Sequence, residues 1–582
     1  MAQPPPASIS QLIANVKANL RRLHAARGRQ RADSFSDSPA LWLSPSTIVS
    51  TMGSTNKVAS ISQYTTRTLD QEIDTVAICP VHPDYMIVGT YSLVKKDAPT
   101  SYVGQTRQGS LRVMTVSSTF TPSYAGMLPP GLDRVDLPCA ALDVHFHAED
   151  PTLLGVATSN ASIDFYRLVV RGDVLGRRVT TRLLPLGSVR VGEDDEHGLT
   201  PLVTQFTWFE EMRRTGTRGV DDMLIVALAA TTSFGETSVT TLSIPDVRDV
   251  SDHRVGGDTD GVVSAARISC DVVHRHDLEA WTVASINMPL YTSSDNGAHV
   301  HGGDGGGCKR LILSGGDDSA VVASCVSPAT PFRSDEGAFE ATHMWKDRRD
   351  HTAGVVAILP LTPPPRGVLG KEKDPMPPRT IPLLTGSYDE FLRIFETDPH
   401  GYRASLKTEL RLDGGVWRLK VLDQYTTDAD TRANNDAHTD RGGRACQHHH
   451  YLVLASLMHA GAAIVRITYA TGSGGGGVLP SSEVPHSEET WTVTPLATFS
   501  AGHESMVYCC DARLENASPG KGIRNDTYNM GIGNGSENVD TNMIRKMTEA
   551  PTYTVVSTSF YDMKICTWTF VDEFKLEAQA YS

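Results

Sequence analysis

The amino-acid sequence predicts an all-β protein assembled from repeated units, and three observations support this fold class. From about residue 58, short β-rich runs alternate with Gly, Asp, Ser and Pro, and sustained helical periodicity is scarce. A chain of 582 residues also exceeds the size at which one compact core stops growing, unless it is a repeat array. Seven copies of one three-strand unit follow each other in constant order. Together these observations predict a seven-bladed WD40 β-propeller.

Each copy has a first strand, a second apolar strand ending in small residues, a tight turn that often contains Asp, and an alternating third strand. In chain order the copies begin at "DTVAICPVHPDYMIVGTYSL", "ALDVHFHAEDPTLLGVATSNASIDFYRL", "TQFTWFEE", "EAWTVASI", "HTAGVVAILPL", "GGVWRLKVLD" and "GHESMVYCCDARL". The third copy has lost the turn Asp. The order of strands and turns predicts one blade per copy.

Residues 57–69, "KVASISQYTTRTL", precede the first copy and alternate enough to form a strand. We expect this strand to pair with the last blade and close the ring, which removes the exposed sheet edges. The propeller then spans 57–572, and residues 1–50 form a flexible, partly helical extension whose basic helix covers 9–31. Four long polar runs are expected to be disordered insertions, at about 363–379, 426–450, 471–489 and 516–548.

The turns of two copies suggest a buried hydrogen-bonded set inside each blade. In the seventh copy a Thr lies four residues before a turn Asp and a Trp lies six after it, with a His opening the copy. In the fifth copy Phe395 replaces the Trp and cannot donate a hydrogen bond. The predicted structural sets are His503, Thr558, Asp562 and Trp568, and His351, Thr385 and Asp389.

Composition and charge exclude several classes of protein. A net charge of -14 and a pI near 5.8 argue against nucleic-acid binding, which needs a basic face. No CxxC pair or HExxH motif occurs, so neither a metal site nor a cofactor is expected. We expect no membrane association, because no apolar run is long enough to span a bilayer. A cytoplasmic monomer is expected, with mitochondrial import through the basic N-terminal helix as the alternative.

Several runs go beyond the generic repeat and occur on successive blades: "EAWTVA", "LILSGGDDS", "LLTGSYDEFLRIFET", "LDGGVWRLK", "HESMVY" and "STSFYDMKICTW". Together they resemble the WD40 family of diphthine methyl ester hydrolases, also named diphthine methyltransferase, from the diphthamide pathway. The resemblance covers roughly residues 60 to 570. It implies hydrolysis of the methyl ester of methylated diphthine, on the modified histidine of translation elongation factor 2. The alternative is a non-catalytic WD40 scaffold or substrate adaptor.

Ester hydrolysis needs a nucleophile or activated water, a base, and donors for the oxyanion. In a propeller, the loops before the first strands and the turns after the second strands open on one face. The catalytic candidates on this face are Glu390, Arg418, His503 and Ser505. Each has a structural alternative: His503 in the hydrogen-bonded set of its blade, Ser505 as a partner for a backbone group, and Arg418 as a brace between blades. Glu390 is either a base or a partner for a substrate ammonium.

The implied substrate side chain carries a quaternary ammonium, which favours aromatic faces and nearby acids. The substrate-binding candidates are Trp281, Tyr388, Trp417, Tyr508, Tyr561 and Asp317. The "HHH" run, residues 448–450, invites a zinc interpretation. In a polar insertion, three consecutive His residues cannot readily reach one metal ion, and no metal site is predicted there.

Overall fold

The computed structural model describes thirteen segments of the chain: 61–94, 106–117, 132–172, 179–215, 222–247, 264–288, 310–328, 339–364, 380–398, 402–428, 447–471, 489–515 and 550–575. The predicted N-terminal extension and most of the four predicted insertions lie outside these residues. None of the helices within the described segments has the length and apolar character to cross a membrane.

The described residues form twenty-eight strands. The first fourteen are β1 (Ile61–Thr68), β2 (Glu72–Ile78), β3 (Tyr85–Val94), β4 (Thr106–Thr115), β5 (Arg134–Leu137), β6 (Ala141–Phe146), β7 (Leu153–Thr158), β8 (Ser162–Gly172), β9 (Val179–Arg190), β10 (Val203–Thr215), β11 (Met223–Thr232), β12 (Glu236–Pro245), β13 (Ala266–Arg275) and β14 (Ala280–Asn287). The others are β15 (Arg310–Gly316), β16 (Val321–Pro328), β17 (Phe339–Asp347), β18 (Val355–Pro360), β19 (Ile381–Ser387), β20 (Phe391–Thr397), β21 (Ala404–Arg411), β22 (Arg418–Asp428), β23 (Gln447–Ser456), β24 (Ala462–Thr471), β25 (Glu489–Phe499), β26 (Val507–Leu514), β27 (Thr552–Ser559) and β28 (Lys564–Val571).

These strands make seven four-stranded antiparallel sheets, one for each predicted blade. Six sheets use consecutive strands, from β2-β3-β4-β5 through β22-β23-β24-β25. The seventh has the order β1-β28-β27-β26, so the first strand completes the last blade. Thr66 pairs with Cys566 and Arg67 pairs with Ile565 in this closure. The seven-bladed propeller is confirmed, and the strand before the first blade closes the ring as the sequence suggested.

The core is distributed between the blades. Within the described residues there are seven apolar clusters, and each joins two neighbouring sheets. The cluster around Phe165, Phe206 and Leu228 joins the second and third blades, and the one around Val88, Val556 and Ile565 joins the first and seventh. Burying the inner faces of successive sheets against each other stabilises the whole ring, because the hydrophobic contribution scales with the apolar area buried.

Polar side chains also connect successive inner strands. The Gln205 Oε1 atom accepts a hydrogen bond from the Val283 N–H at 3.0 Å, in the next blade. The Thr282 hydroxyl accepts one from Ile358 at 3.2 Å, one blade further on. Cys509 Sγ accepts one from the Val76 N–H at 3.3 Å and connects the last blade to the first. Such contacts fix the inner strands relative to each other and thereby fix the side chains that face the central channel.

One predicted insertion is shorter than expected. The run 426–450 was predicted to be disordered, but its first residues end β22 and 447–450 begin β23. His450 is 2% exposed, and its ring nitrogens bond the Thr427 and Thr468 hydroxyls at 2.9 Å. Because neighbouring strands supply these partners, a polar run here is compatible with a buried strand. The prediction was wrong for these flanking residues, and 429–446 lie outside the described residues.

Candidate active site at the channel mouth

The inner strands of six blades carry one extra residue at the start, a β-bulge. In β2 this residue is Asp74, between Ile73 and Thr75, and the register shifts at the same place in β6, β10, β14, β18 and β26. Trp417 precedes β22 directly, and its N–H bonds the Ser456 carbonyl, whereas the register of β22 shifts later, between Val421 and Asp423. A bulge re-aims the side chain of the extra residue. We call these residues the bulge ring: Asp74, Leu142, Thr204, Trp281, Val356, Trp417 and Tyr508.

Aromatic side chains from four blades meet at this ring. The Trp417 ring centroid lies 5.7 Å from that of Trp281 and 4.9 Å from that of Tyr508. Tyr388 is also 5.7 Å from Trp417. Phe560 lies 5.5 Å from Tyr508, and 5.0 Å from the ring of its neighbour Tyr561. We call this group the aromatic mouth: Trp281, Tyr388, Trp417, Tyr508, Phe560 and Tyr561.

The structure thus brings together five side chains that the sequence offered as substrate-binding candidates, and it adds Phe560. The phenols of the mouth remain protonated at neutral pH. Burial, followed by the nearby Asp317 charge, raises the pKa of Tyr388 well above its ordinary value. Burial and the neighbouring Tyr561 do the same to the pKa of Tyr508. The mouth therefore offers neutral aromatic faces and hydroxyl groups.

Asp317, the sixth candidate, lies against this group with an unsatisfied oxygen. Burial, then the Glu279 charge, raises the pKa of Asp317 to about 7. The Trp281 indole is near enough to oppose this shift, yet Trp281 Nε1 and Asp317 Oδ1 are both buried without a hydrogen-bond partner within the described chain. A buried acceptor and a buried donor left unpaired are each costly to the fold. Their position at the mouth makes them available to a ligand.

Two glycines allow the loops of the mouth to approach this closely. A Cβ at Gly354 would lie 2.7 Å from Asp317 Oδ1 and 3.0 Å from the Tyr388 ring. A Cβ at Gly414 would lie 2.2 Å from the Leu457 carbonyl oxygen. Gly414 belongs to the "GGVWR" run, so the glycine permits the close packing that precedes Trp417. The sequence run is explained by backbone contact at this point.

Two carboxylates and a guanidinium are carried at the starts of inner strands from three blades. Asp143 in β6 accepts hydrogen bonds from His145 Nε2 at 2.8 Å and from the Phe206 N–H at 3.3 Å. Burial alone would raise the pKa of Asp143, but His145 and Arg418 lower it. Burial raises the pKa of Asp74 to about 7, against the opposing charge of Arg418. Sequence reasoning missed both acids.

Arg418 is held in place by contacts across the channel wall. Its Nη1 atom donates to the Val356 carbonyl in the neighbouring blade and to the Trp417 carbonyl, both at 3.3 Å. Its guanidinium carbon lies 5.5 Å from the Trp417 ring centroid. The bond to Val356 is the bracing contact that the sequence left as an alternative. The guanidinium also acts on the pKa values of Asp74 and Asp143, so it places a positive charge in the channel.

His503 and Ser505, two catalytic candidates, lie within the structural set of the last blade. The two ring nitrogens of His503 bond the Ser559 and Ser557 hydroxyls at 2.8 and 2.7 Å. The Ser505 hydroxyl donates to Asp562 Oδ1 at 2.6 Å. Burial lowers the pKa of His503 to about 4. Both residues therefore have structural partners on the same blade, as their alternative interpretation holds.

One member of this structural set differs from the prediction. Trp568 Nε1 donates to Ser557 Oγ at 3.2 Å, whereas the Thr558 hydroxyl donates to the Cys509 carbonyl at 3.3 Å. Ser557 thus occupies the place that spacing assigned to Thr558. The turn that contains Asp562 has one more residue than the corresponding turn of the fifth blade. Counting four residues back from Asp562 therefore reaches Thr558, whose side chain lies on the opposite face of the strand from Ser557.

The fifth blade keeps its predicted set. His351 Nε2 bonds the Thr385 hydroxyl at 2.9 Å, and the His351 ring stacks on Phe395. Asp389 accepts hydrogen bonds from the Thr352 N–H at 3.0 Å and from Arg393 Nη1 at 2.9 Å. Burial alone would raise the pKa of Asp389, but these bonds lower it. The hydrogen bonds of Asp389 therefore stabilise its turn.

Glu390, the fourth catalytic candidate, is turned toward the outer strand of its blade. Its backbone is left-handed, with φ of 73°. The Oε2 atom accepts hydrogen bonds from Arg411 Nε at 2.9 Å and Arg411 Nη2 at 2.6 Å, at the end of β21. These contacts do not join Glu390 to the aromatic mouth. Its role as a base remains a prediction from the sequence.

Comparison with curated proteins supplies a relative along most of the chain. A protein of Schizosaccharomyces pombe named diphthine methyltransferase is 24% identical over 423 residues, which cover 72% of this chain and 85% of that protein. The chain resembles diphthine methyltransferase. The resemblance predicted from the blade-specific runs is confirmed by this relative. No protein-family model matches the sequence.

Two solved structures, both of Sqt1, also align with the chain. Sqt1 of Saccharomyces cerevisiae has a TM-score of 0.37 at 10% identity, covering 89% of this chain and 100% of its own. Sqt1 from Chaetomium thermophilum has a TM-score of 0.30 at 12% identity, covering 70% of this chain and 83% of its own. The fold is established by the strand order and ring closure.

Proposed function

We propose that the protein hydrolyses the methyl ester of methylated diphthine on the modified histidine of translation elongation factor 2, giving diphthine and methanol. The relative named diphthine methyltransferase supports a place in the diphthamide pathway. The reaction class is a carboxylic ester hydrolysis without a cofactor. Action on elongation factor 2 fits the cytoplasmic location expected from the sequence.

The observation that carries this proposal is the pairing of aromatic faces with unsatisfied acid at one mouth. A quaternary ammonium has no N–H to donate, so aromatic faces and carboxylates are its preferred surroundings. Trp281 and Trp417 supply two large faces 5.7 Å apart, with Tyr388 beside Trp417. Asp317 adds a buried oxygen with no hydrogen-bond partner among the described residues. The Asp317 carboxylate balances the ammonium charge once that ligand enters.

The bulge ring also suits a substrate presented on a long side chain. The aromatic mouth supplies ring faces, and the Arg418 charge acts on Asp74 and Asp143 beside it. The ester and the ammonium of methylated diphthine are attached to the same carbon, so an ammonium held among the aromatic rings places its ester beside the neighbouring charged groups. A scaffold or adaptor does not require polar groups with unmet hydrogen bonds in this position.

The test is methanol release from elongation factor 2 that carries methylated diphthine. The purified full chain is incubated with this substrate, and methanol and the loss of the ester methyl group are measured together. The fission-yeast relative serves as the comparison under the same conditions. Release by both proteins supports the proposal. Binding of the substrate without methanol release, while the relative is active, contradicts hydrolysis and supports the adaptor alternative.

A further inference from the structure

We propose that Asp74 is the catalytic base that activates the hydrolytic water, an assignment that rests on the proposed ester hydrolase function. Asp74 is the bulge-ring residue of the first blade, in the "EIDTVAI" strand. The inference follows from its position, its lack of partners and the groups that face it.

The Asp74 carboxylate is unusual among the acids of the channel because it forms no hydrogen bond or ion pair with another described residue. Asp143 accepts from His145 and from the Phe206 N–H, so its oxygens maintain contacts with the wall. Asp317 lies at the entrance beside Trp281 and Tyr388. Asp74 alone of these three combines a place within reach of the Arg418 charge with oxygens that are open to water, which is the first requirement for a general base.

The groups facing Asp74 come from four elements around the channel. Arg418 at the start of β22 supplies a positive charge, and Asp143 in β6 supplies a negative charge. The Asp74 charge contributes to the raised pKa values of Tyr508 in β26 and of Tyr561 in the turn after β27. A carboxylate, a guanidinium and two phenols therefore converge from different blades. This arrangement contains both a proton acceptor and donors for a developing oxyanion.

The protonation state of Asp74 suits proton transfer at neutral pH. Burial raises its pKa to about 7, the Arg418 charge opposes this shift, and the Asp143 charge adds to it. The side chain keeps some exposed surface because it faces the channel, yet the surrounding blades remove much of its bulk water. A general base is most effective when its pKa lies near the working pH.

The step balances without any added reactant. The Asp74 carboxylate takes a proton from water as the water oxygen bonds to the ester carbonyl carbon. The carbonyl electron pair moves onto oxygen, where the Arg418 charge and a phenol hydroxyl stabilise the oxyanion. When the carbonyl re-forms, the bond to the methoxy oxygen breaks, and that oxygen takes the proton from Asp74. Methanol leaves, the product carboxylic acid ionises to its carboxylate, and Asp74 is again ionised.

The experiment compares Asp74→Asn with the unaltered chain on elongation factor 2 carrying methylated diphthine, across a pH series. The amide cannot accept the water proton, so kcat is expected to fall about 100-fold or more. For the unaltered chain, kcat rises as pH increases through about 7, where Asp74 loses its proton. This inflection is expected to disappear in Asp74→Asn and to remain in Asp317→Asn. If Asp74 had a purely structural role, the inflection in kcat would remain in Asp74→Asn.

Asp413→Asn is the matched control, because Asp413 is 63% exposed in the loop that leads to Trp417 and lies outside the proposed site. This variant is expected to leave kcat unchanged. Asp74→Glu keeps the carboxylate and is expected to lower kcat while retaining the inflection, and thermal melting of each variant verifies the fold. Retained kcat and inflection in Asp74→Asn overturn the assignment and leave the hydrolase function standing. Absence of methanol release from the unaltered chain overturns both.

Discussion

The structural set of the last blade and the channel mouth use similar residue types in opposite ways. In the blade, both His503 nitrogens and the Ser505 hydroxyl have hydrogen-bond partners. At the mouth, Asp317 Oδ1 and Trp281 Nε1 are buried without partners within the described residues. Satisfied groups stabilise the fold, whereas unsatisfied ones reduce stability and leave bonding capacity for a ligand. Whether a buried polar group has a hydrogen-bond partner therefore distinguishes structural from functional residues better than the residue type does.

Among the changes that test this comparison, the largest expected effect is the loss of the central ring of the mouth in Trp417→Ala. This change removes the face that contacts Trp281, Tyr388 and Tyr508, and kcat/KM for methylated diphthine should fall about 100-fold, or about 2.7 kcal/mol. Trp417→Phe keeps an aromatic face and should retain most of the activity. Steady-state kinetics with both variants measures the loss. Equal losses in the two would show that the aromatic face is not the relevant feature.

His503→Ala should act on stability instead. It leaves the Ser557 and Ser559 hydroxyls without their buried partner, and the free energy of unfolding should fall by about 2 kcal/mol. Denaturant titration measures this change, with His197→Ala as the control because His197 is 74% exposed. At a temperature where the variant is folded, kcat should be close to that of the unaltered chain. A large loss of kcat in folded protein would assign His503 to the chemistry.

Asp317→Asn should stabilise the protein in a pH-dependent manner. The folded-state pKa of Asp317 is raised to about 7, so the folded chain binds the extra proton and stability is lost as pH rises toward 7. Removing the ionisable group should raise the free energy of unfolding by about 1 kcal/mol at pH 8 and by much less at pH 5, as an order of magnitude. Melting temperatures at the two pH values measure this. If Asp317→Asn stabilises the protein at pH 8 no more than at pH 5, the Asp317 carboxylate already has a favourable partner in the folded chain.

The smallest effect is expected for Glu390→Gln. The Glu390 carboxylate is bound by Arg411 on the outer strand, so the amide should change kcat by less than about twofold and stability by less than about 1 kcal/mol. Methanol release and melting of the variant measure both quantities. A tenfold loss of kcat with unchanged melting would instead support the catalytic role that the sequence suggested for Glu390.

Repetition made the fold accessible from the sequence. Each blade repeats the order of strand, turn and small residues, so errors in one copy are corrected by the others. The aromatic residues of the mouth could also be placed, because they lie in loops and turns that open on one face. The Thr558 assignment failed because a single added turn residue moves the correct hydroxyl to Ser557. One residue suffices to exchange the two faces of a strand.

Asp74 and Asp143 could not be found in this way. Each lies in a short, mostly apolar strand, "EIDTVAI" or "ALDVHF", where alternation suggests a solvent-facing position. The register shift that aims Asp74 into the channel depends on pairing with β3 and leaves no mark in the sequence. The pairing of Glu390 with Arg411 is likewise a contact between distant residues. Locating such residues requires the register in which the strands pair.

Ring closure has a consequence for the timing of protein synthesis. Thr66 in β1 meets Cys566, which lies 500 residues later along the chain. Because Tyr508 and Tyr561 belong to this last blade and Asp74 to the first, the proposed site is incomplete on a ribosome until nearly all of the described propeller has emerged. A nascent chain with six blades would expose apolar faces of the first and sixth blades. Premature termination anywhere before β28 should therefore give a chain that is both inactive and prone to aggregation.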